Sequence, residues 1–476
     1  MRSWFRSSFG YFAAVAAAAL ALRLWFVFQF PVVAGDAWFY GDLAKNWLQL
    51  GILGVTGSGG VEPSLVRLPG YPAFLASIWA FTGAEHYRAV LLAQALIDVG
   101  ACFLTADLAG RMLRTPRAVK GAFLLAAICP FTANYAACAL TETLAVFFTV
   151  LALDLAVAAL DSGRAWRWAA CGAAVGAGIL IRPDGGILLP VIAGYLLALG
   201  CRSLLRRETR GWGTLGGTRV LLFSALALAP LAPWTLRNWR DFHVVQPLAP
   251  RYATDPGQFV PLGFQRWMKT WIADYVSVAE IYWPLDEETI DISRAPLRAF
   301  DSNGERQAVA SLFARYNVAR QWTPELDRAL GEIAARRIAE HRLRYYLWLP
   351  ALRMADMWLR PRTEMLGVND RWWRVEEDPG GAAVAMALGA LNLFYVAAAA
   401  LGILALWRRR GAAASGLTRP PWGVLLAFVM VRTLFLGTLE NPEPRYTLEC
   451  YPVVLVLAAA LFAGARLRSR RQCGEE

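Results

Sequence analysis

Nine ionisable side chains, Asp36, Arg67, Glu142, Arg182, Asp184, Arg237, Glu440, Glu443 and Arg445, stand at or beside the ends of apolar runs in a chain of which only 18% is charged. Charges in such places cost a few kcal/mol unless they are paired or used. A carboxylate can take a proton from a hydroxyl, and a guanidinium fork can grip phosphate oxygens in pairs. Gathered on one membrane surface, these groups would bind an anionic headgroup and activate a hydroxyl beside it. Each also has a plainer reading. Asp36 can cap a helix beginning at Ala37. Glu142, after Thr141, can complement the start of a helix. Arg182, Arg237 and Arg445 can be anchors whose stems lie in the apolar layer.

Topology decides whether these residues meet. With 57% apolar residues and a mean hydropathy of +0.38, the 476-residue chain reads as an all-α polytopic membrane protein. About ten spans of adequate length are predicted: Phe9–Val33, His86–Leu108, Val119–Cys138, Glu142–Leu160, Trp166–Ile181, Gly185–Leu199, Val220–Trp234, Ala382–Trp407, Trp422–Leu439 and Tyr446–Ala465. The first follows Arg2 and Arg6 and exceeds a signal-peptide core, so it reads as an uncleaved anchor.

Loop charge tests that count. Arg111, Arg114, Arg117 and Lys120 fall between spans two and three, Arg164 and Arg167 between four and five, and Arg202, Arg206, Arg207, Arg210 and Arg219 between six and seven. Arg408 to Arg410 with Arg419, and then Arg466, Arg468, Arg470 and Arg471, continue the alternation. By the positive-inside rule both termini are cytoplasmic and Asp36 faces outward, as expected of a multi-pass protein of the inner (plasma) membrane. The net charge of +12 then belongs to inner loops, not to a nucleic-acid surface. Seven scattered Cys without CxxC and three distant His offer no disulfide framework or local zinc site.

Two outer segments stand apart. In the first outer loop, 34–85, the pieces Asp42–Leu50 and Tyr71–Phe81 are too short to span and suit two interfacial helices, with Trp38, Trp47, Tyr71 and Trp79 at headgroup depth. Between them Gly57–Gly60 reads as a flexible loop, lacking any phosphate-loop pattern. Between spans seven and eight, residues 240–380 form a mainly helical extracytoplasmic domain, with 19 basic and 20 acidic residues from Arg240 to Asp378. Within it Thr323 and Pro324 read as N-cap and first residue of a helix facing inward with Leu326, Leu330, Ile333 and Ile338. The flanking parts are an N-terminal transmembrane catalytic module, 1–239, and C-terminal helices, 381–476. Charges inside the apolar runs, Arg23, Asp98, Asp154, Arg432 and Glu449, read as helix-to-helix pairs.

The order of these features resembles the glycosyltransferase C superfamily: an outward Asp after the first span, RLPGYP at Arg67–Pro72, TE at Thr141–Glu142, RP at Arg182–Pro183, PWTLRN at Pro233–Asn238 and RY at Arg445–Tyr446. It is most similar to the protein O-mannosyltransferase-like group, which includes the lipid A aminoarabinose transferases. The resemblance implies inverting transfer of a sugar from a polyprenyl-phosphate donor to an acceptor hydroxyl of a lipid, glycan or protein on the outer face. It makes Asp36 the general base, Arg182, Arg237 and Arg445 the groups that steady the leaving phosphate, with Tyr446 beside them, and Arg67 and Tyr40 the groups that position substrate near Asp36. Glu142 orients one of these. No metal ligand is assigned. Ala37 follows Asp36, so the acidic pair of some members is absent, and a divalent cation stays open. Two rival readings are a transporter or flippase of lipid-linked sugars, which predicts broken helices with charges at mid-membrane, and a non-catalytic envelope-assembly protein in which Asp36 is only a cap.

Overall fold

A computed structural model describes residues 5, 7–205, 212–409 and 421–463. Arg2, Arg6, Arg206, Arg207, Arg210, Arg410, Arg419, Arg466, Arg468, Arg470 and Arg471, on which the inside assignment partly rests, lie outside the described residues. Two compact units emerge, one from Met1–Ala249, Leu393–Val429 and Glu449–Glu476, the other from Pro250–Asn392 and Met430–Leu448.

In the first unit the helices run α1 Phe9–Gln29, α2 Asp36–Leu50, α3 Gly70–Thr82, α4 Tyr87–Leu113, α5 Pro116–Ala127, α6 Pro130–Tyr135, α7 Glu142–Ser162, α8 Ala165–Ile181, α9 Leu188–Leu205, α10 Trp212–Leu228 and α11 Leu231–Phe242. Six helices among the described residues are long and apolar enough to cross a membrane, or seven if the pair α10 and α11, bent by 41°, is one span. Ala165–Ile181 and Trp422–Gly437 are apolar but shorter. The expected third span, 119–138, is instead two helices, α5 and α6. Pro130 begins the second, where its ring and missing N–H cannot continue the first. Pro230 sits at the bend between α10 and α11 for the same reason.

Two devices shape the end of this unit that carries Asp36. Val32 N–H donates to Ala137 O at 2.9 Å and Ala139 N–H to Val32 O at 3.0 Å, so the strand leading to Asp36 runs parallel to the strand leading to Glu142. A Cβ on Gly70 would lie 2.5 Å from Leu180 O, and only glycine lets the start of α3 press against the end of α8. Residues 70 and 180 are thereby brought together, three positions after Arg67 and two before Arg182.

Gly57–Gly60 is not the flexible loop expected. Gly54–Gly57 and Gly60–Pro63 form an antiparallel hairpin, β1 and β2. Val55, Thr56 and Val61 favour strands, and Gly60 takes φ +123° at the turn. Asp42 accepts from Thr56 N–H at 2.6 Å and Thr56 Oγ1 at 2.8 Å, while Asn46 Nδ2 donates to Gly54 O at 3.0 Å and Thr56 Oγ1 at 3.1 Å. The hairpin is latched to α2.

The second unit contains α12 Leu262–Lys269, α13 Asn303–Ala319, α14 Pro324–Glu340 and α15 Leu349–Leu359. Thr323 caps α14 as its sequence predicts, accepting from Leu326 N–H, and Leu326, Leu330 and Ile333 are buried against Phe264, Trp267, Phe313 and Trp322. Its buried arginines are held largely by backbone carbonyls. Arg353 donates to Ile272 O and Lys269 O, at the end of α12, where the last carbonyls of a helix lack intrahelical partners. The last helices are α16 Pro379–Arg409, α17 Trp422–Gly437 and α18 Tyr451–Ala459.

Candidate functional site

The site begins with Asp36, the first residue of α2. It is not the N-cap; that place belongs to Gly35, whose φ of +54° turns the chain into the helix. The carboxylate reaches Arg67, whose Nη2 lies 2.8 Å from Asp36 Oδ1. Both side chains meet solvent, 39% of Asp36 and 25% of Arg67. The guanidinium lies 5.4 Å from the Phe39 ring centroid and 5.9 Å from that of Tyr40, within cation–π reach of both.

Tyr40 joins this pair to a second cluster. Its ring is buried edge-on against Tyr71, with centroids 5.0 Å apart. Burial pushes its phenol up to about 12, and Arg67, Asp36, Arg182 and Glu142 all act on it electrostatically. Tyr71 is in turn held by Gln94: the phenol donates to Gln94 Oε1 at 2.8 Å, and Gln94 Nε2 donates to Cys138 O at 2.6 Å. Gln94 therefore ties α4 to α3 and to the segment before Glu142.

The second cluster is centred on Arg182. Nη1 lies 2.8 Å from Glu142 Oε1 and 3.2 Å from Thr141 Oγ1; Nε lies 3.2 Å from Asp184 Oδ1 and 3.9 Å from Glu449 Oε1. Thr149 Oγ1 donates to Glu449 Oε2 at 3.1 Å. Glu142 and Arg182 are thus neither a simple cap nor a snorkelling anchor. One guanidinium gathers three carboxylates from α7, from the turn after α8 and from the chain before α18. Among the described residues no group of three or more His, Cys, Asp or Glu is placed to hold a metal ion; where carboxylates do gather, the guanidinium is the cation among them.

Arg237, on α11, binds the neck of the loop between α2 and α3. It donates to Leu53 O at 2.7 Å and Ser64 O at 2.9 Å, pairs with Asp241 at 2.8 Å and stacks on Trp234 and Phe242. A cavity of about 700 Å³ opens beside it, walled by Trp47, Pro69, Pro230 and Pro233 and ending at Arg237 and Arg240. Arg445 and Tyr446 belong to the second unit, where both engage Glu443, Arg445 Nε at 2.6 Å from Oε2 and the Tyr446 hydroxyl at 2.5 Å from Oε1. In the same unit Arg251 pairs with Glu440 at 2.8 Å.

Of the nine charges that opened the sequence reading, Asp36, Arg67, Glu142, Arg182, Asp184 and Arg237 lie in one unit, and Glu440, Glu443 and Arg445 in the other. Sequence reasoning missed Gln94 and the Arg182–Glu449 approach. A lone Gln in an apolar helix was the available signal for the first, and a Glu inside the last span for the second. Arg23 and Asp98, by contrast, form a helix-to-helix pair as expected, and Asp154 pairs too, but with Arg111, which the sequence had placed among the loop charges.

Residues 64–234 match the model of the dolichyl-phosphate-mannose-protein mannosyltransferase family. That match covers about a third of the chain. The stretch matched includes Arg67, Glu142 and Arg182 and begins after Asp36. Among solved structures, the chain is similar in fold to the apo oligosaccharyltransferase of Archaeoglobus fulgidus, with a TM-score of 0.50 at 15% identity, over 96% of this chain and 51% of the other. The Archaeoglobus fulgidus oligosaccharyltransferase AglB, in complex with an inhibitory peptide and a dolichol-phosphate, gives 0.49 at 14%, over 96% and 50%. ArnT from Cupriavidus metallidurans, bound to undecaprenyl phosphate, gives 0.33 at 17%, over 95% and 78%. The chain spans about half the length of the oligosaccharyltransferases it matches. No curated protein sequence matches it.

Proposed function

We propose that this protein is an integral-membrane glycosyltransferase that moves a sugar, with inversion, from a polyprenyl-phosphate donor to an acceptor hydroxyl on the extracytoplasmic face. The observation that carries the reading is the Asp36–Arg67 pair: a solvent-accessible carboxylate, oriented by a stacked guanidinium, at the start of α2. The family matched over residues 64–234 is named for a polyprenyl-phosphate sugar donor, which supports the donor class.

In the reaction the acceptor oxygen attacks the anomeric carbon from the face opposite the phosphate. The bond from that carbon to the phosphate oxygen breaks, the polyprenyl phosphate leaves with its electron pair, and the acceptor proton passes to Asp36. A base positioned within hydrogen-bond reach contributes roughly 10²- to 10⁴-fold. Phosphate is already a good leaving group, so positive charge matters more than a general acid. Arg237 and Arg240, at the polar end of the apolar cavity, suit a headgroup whose isoprenoid tail lies against Trp47 and the prolines. Arg445, with Tyr446, is the second unit's candidate for the same charge. Arg182, already among three carboxylates, positions Glu142 and the loop instead.

The test is mass spectrometry of envelope glycans, lipids and proteins from cells with and without the protein, and with Asp36→Asn. Loss of one glycosylated product in both the null and the Asp36→Asn cells is the expected result. A product that disappears in the null and persists unchanged with Asp36→Asn overturns the assignment of Asp36. For the arginine, Arg445→Ala should weaken donor binding more than acceptor binding, and equal loss on both counts against a phosphate role.

A further inference from the structure

The second unit holds a polar cluster that the proposed reaction leaves unused. On α12, Gln265 and Lys269 stand four residues apart and so share one face of the helix. Gln265 is only 9% exposed. Its side-chain amide faces the Tyr282 phenol, while its Oε1, shut off from solvent, accepts no hydrogen bond among the described residues. A buried acceptor in that state is costly unless something else supplies the donor. Lys269 is half-buried, and its ammonium has neither a hydrogen-bond nor an ion-pair partner among the described residues. Burial pushes its pKa down; Glu440 pulls the other way, and Arg251 and Arg353 add to the lowering.

Glu440 is the hub of the cluster. It is 5% exposed, and its Oε2 takes Arg251 Nη2 at 2.8 Å, whereas its Oε1 has no partner among the described residues. The same carboxylate acts electrostatically on the phenols of Tyr252 and Tyr282. Arg251 lies 5.2 Å from the Tyr252 ring centroid and keeps 56% of its side chain in solvent, so the cluster opens at the surface. Arg353 donates to Ile272 O, Lys269 O and Gly437 O, which hold its guanidinium without neutralising it.

The bonds and charges left over define a ligand. Arg251 cancels Glu440, and of the positive charge that remains only Lys269 has N–H groups to give. Gln265 Oε1 and Glu440 Oε1 can only accept. A bare anion would satisfy the lysine and leave both oxygens unmet. A group that answers all three carries hydroxyls to donate and an anionic oxygen, and the part-exposed rings of Tyr252 and Tyr282 offer apolar faces to a pyranose.

We propose that this cluster binds an acidic sugar, with its anionic oxygen at Lys269 and its ring hydroxyls at Gln265 Oε1 and Glu440 Oε1. A uronate and a phosphorylated sugar share this chemistry. As the seat of an acidic acceptor glycan the cluster rests on the transfer reading above; as a binding site it does not.

The experiment titrates the full-length protein in mild detergent with methyl β-glucuronide, methyl β-glucoside or glucose 6-phosphate, read by saturation-transfer NMR of the sugar, with inorganic phosphate as competitor. No donor is present, so the outcome does not depend on whether Asp36 is a base. An acidic sugar should bind about tenfold more tightly than the glucoside, the scale of one charge-assisted hydrogen bond, and which of the two does so tells carboxylate from phosphate. Lys269→Met should erase that preference, and Gln265→Met should weaken all three sugars by about fivefold, the worth of one neutral hydrogen bond. No binding, or equal binding of the three sugars, overturns the proposal, and so does a preference that survives Lys269→Met. Inorganic phosphate that competes as tightly as the acidic sugar binds overturns it too, because the hydroxyls then contribute nothing. The comparison among sugars needs no variant, and so stands even if Gln265→Met fails to fold.

Discussion

The Asp36–Arg67 pair and the Arg182 cluster are made of the same two functional groups and have opposite balances. The first sets one carboxylate against one guanidinium, with 39% and 25% of the side chains in solvent. The second sets three carboxylates around one guanidinium, each side chain no more than 15% exposed. Exposure and count together separate the roles. A hydroxyl can reach Asp36. At Arg182 the guanidinium joins α7, α8 and the approach to α18, and in the reading proposed above such a buried ion cluster holds geometry.

The comparison can be broken most directly at Asp36. Asp36→Asn should lower transfer by about two to four orders of magnitude, the contribution of a general base, with the melting temperature held. The measurement is product formation in membranes supplied with lipid-linked sugar. A normal rate would leave the accessible carboxylate without a chemical role.

Next in size is Arg182→Ala. Removing the cation takes a charged partner from three carboxylates at one buried point, and breaking such a pair costs about 3–5 kcal/mol. Thermal unfolding should fall sharply, and Arg182→Lys should recover part of it by restoring the charge without the fork. A stable Arg182→Ala protein with weakened donor binding would reverse the assignment, making Arg182 the phosphate ligand that the family resemblance implies.

How much of this was legible in the sequence follows from range. Thr323 with Pro324, and the apolar positions of α14, are local signals, and the helix formed where they put it. Charge at span ends singled out Asp36, Arg67, Glu142 and Arg182, because an apolar layer penalises idle charge wherever it falls. Partners were not legible. Arg182 meets Glu449 through a separation of 267 residues, and the parallel bridge of Val32 with Cys138 joins two segments that carry no strand pattern. Pro130 breaks a run whose composition alone looks continuous, since hydropathy averages over the residue that lacks an N–H. The hairpin was lost among its glycines because its pairing is completed by side chains of α2.

Arg67→Lys sharpens the first half of the comparison. Lysine keeps the positive charge near Asp36 and gives up the planar, forked guanidinium beside Phe39 and Tyr40, so the loss is one of orientation. Transfer should fall about tenfold, near 1.4 kcal/mol of barrier, and Arg67→Met, without charge, should fall further. Equal rates for Lys and Met would show that charge at this position is irrelevant to the base.

The smallest expected effect separates positioning by charge from positioning by neutral hydrogen bonds. Asn46 is buried and uncharged, and its amide holds the hairpin through Gly54 O and Thr56 Oγ1. Asn46→Ala removes two such bonds, a net loss of about 1 kcal/mol. Asp42 still holds Thr56 from the neighbouring turn of α2, so the hairpin should open locally without leaving the helix. Amide exchange across 54–63 should quicken about fivefold, the same free energy read as a local opening, while transfer changes less than in Arg67→Lys. Because Arg237 grips both ends of the hairpin at Leu53 and Ser64, the faster exchange should stop at those residues. Exchange that spreads into α2 as far as Asp36 would mean that the latch, and not Arg67, orients the carboxylate.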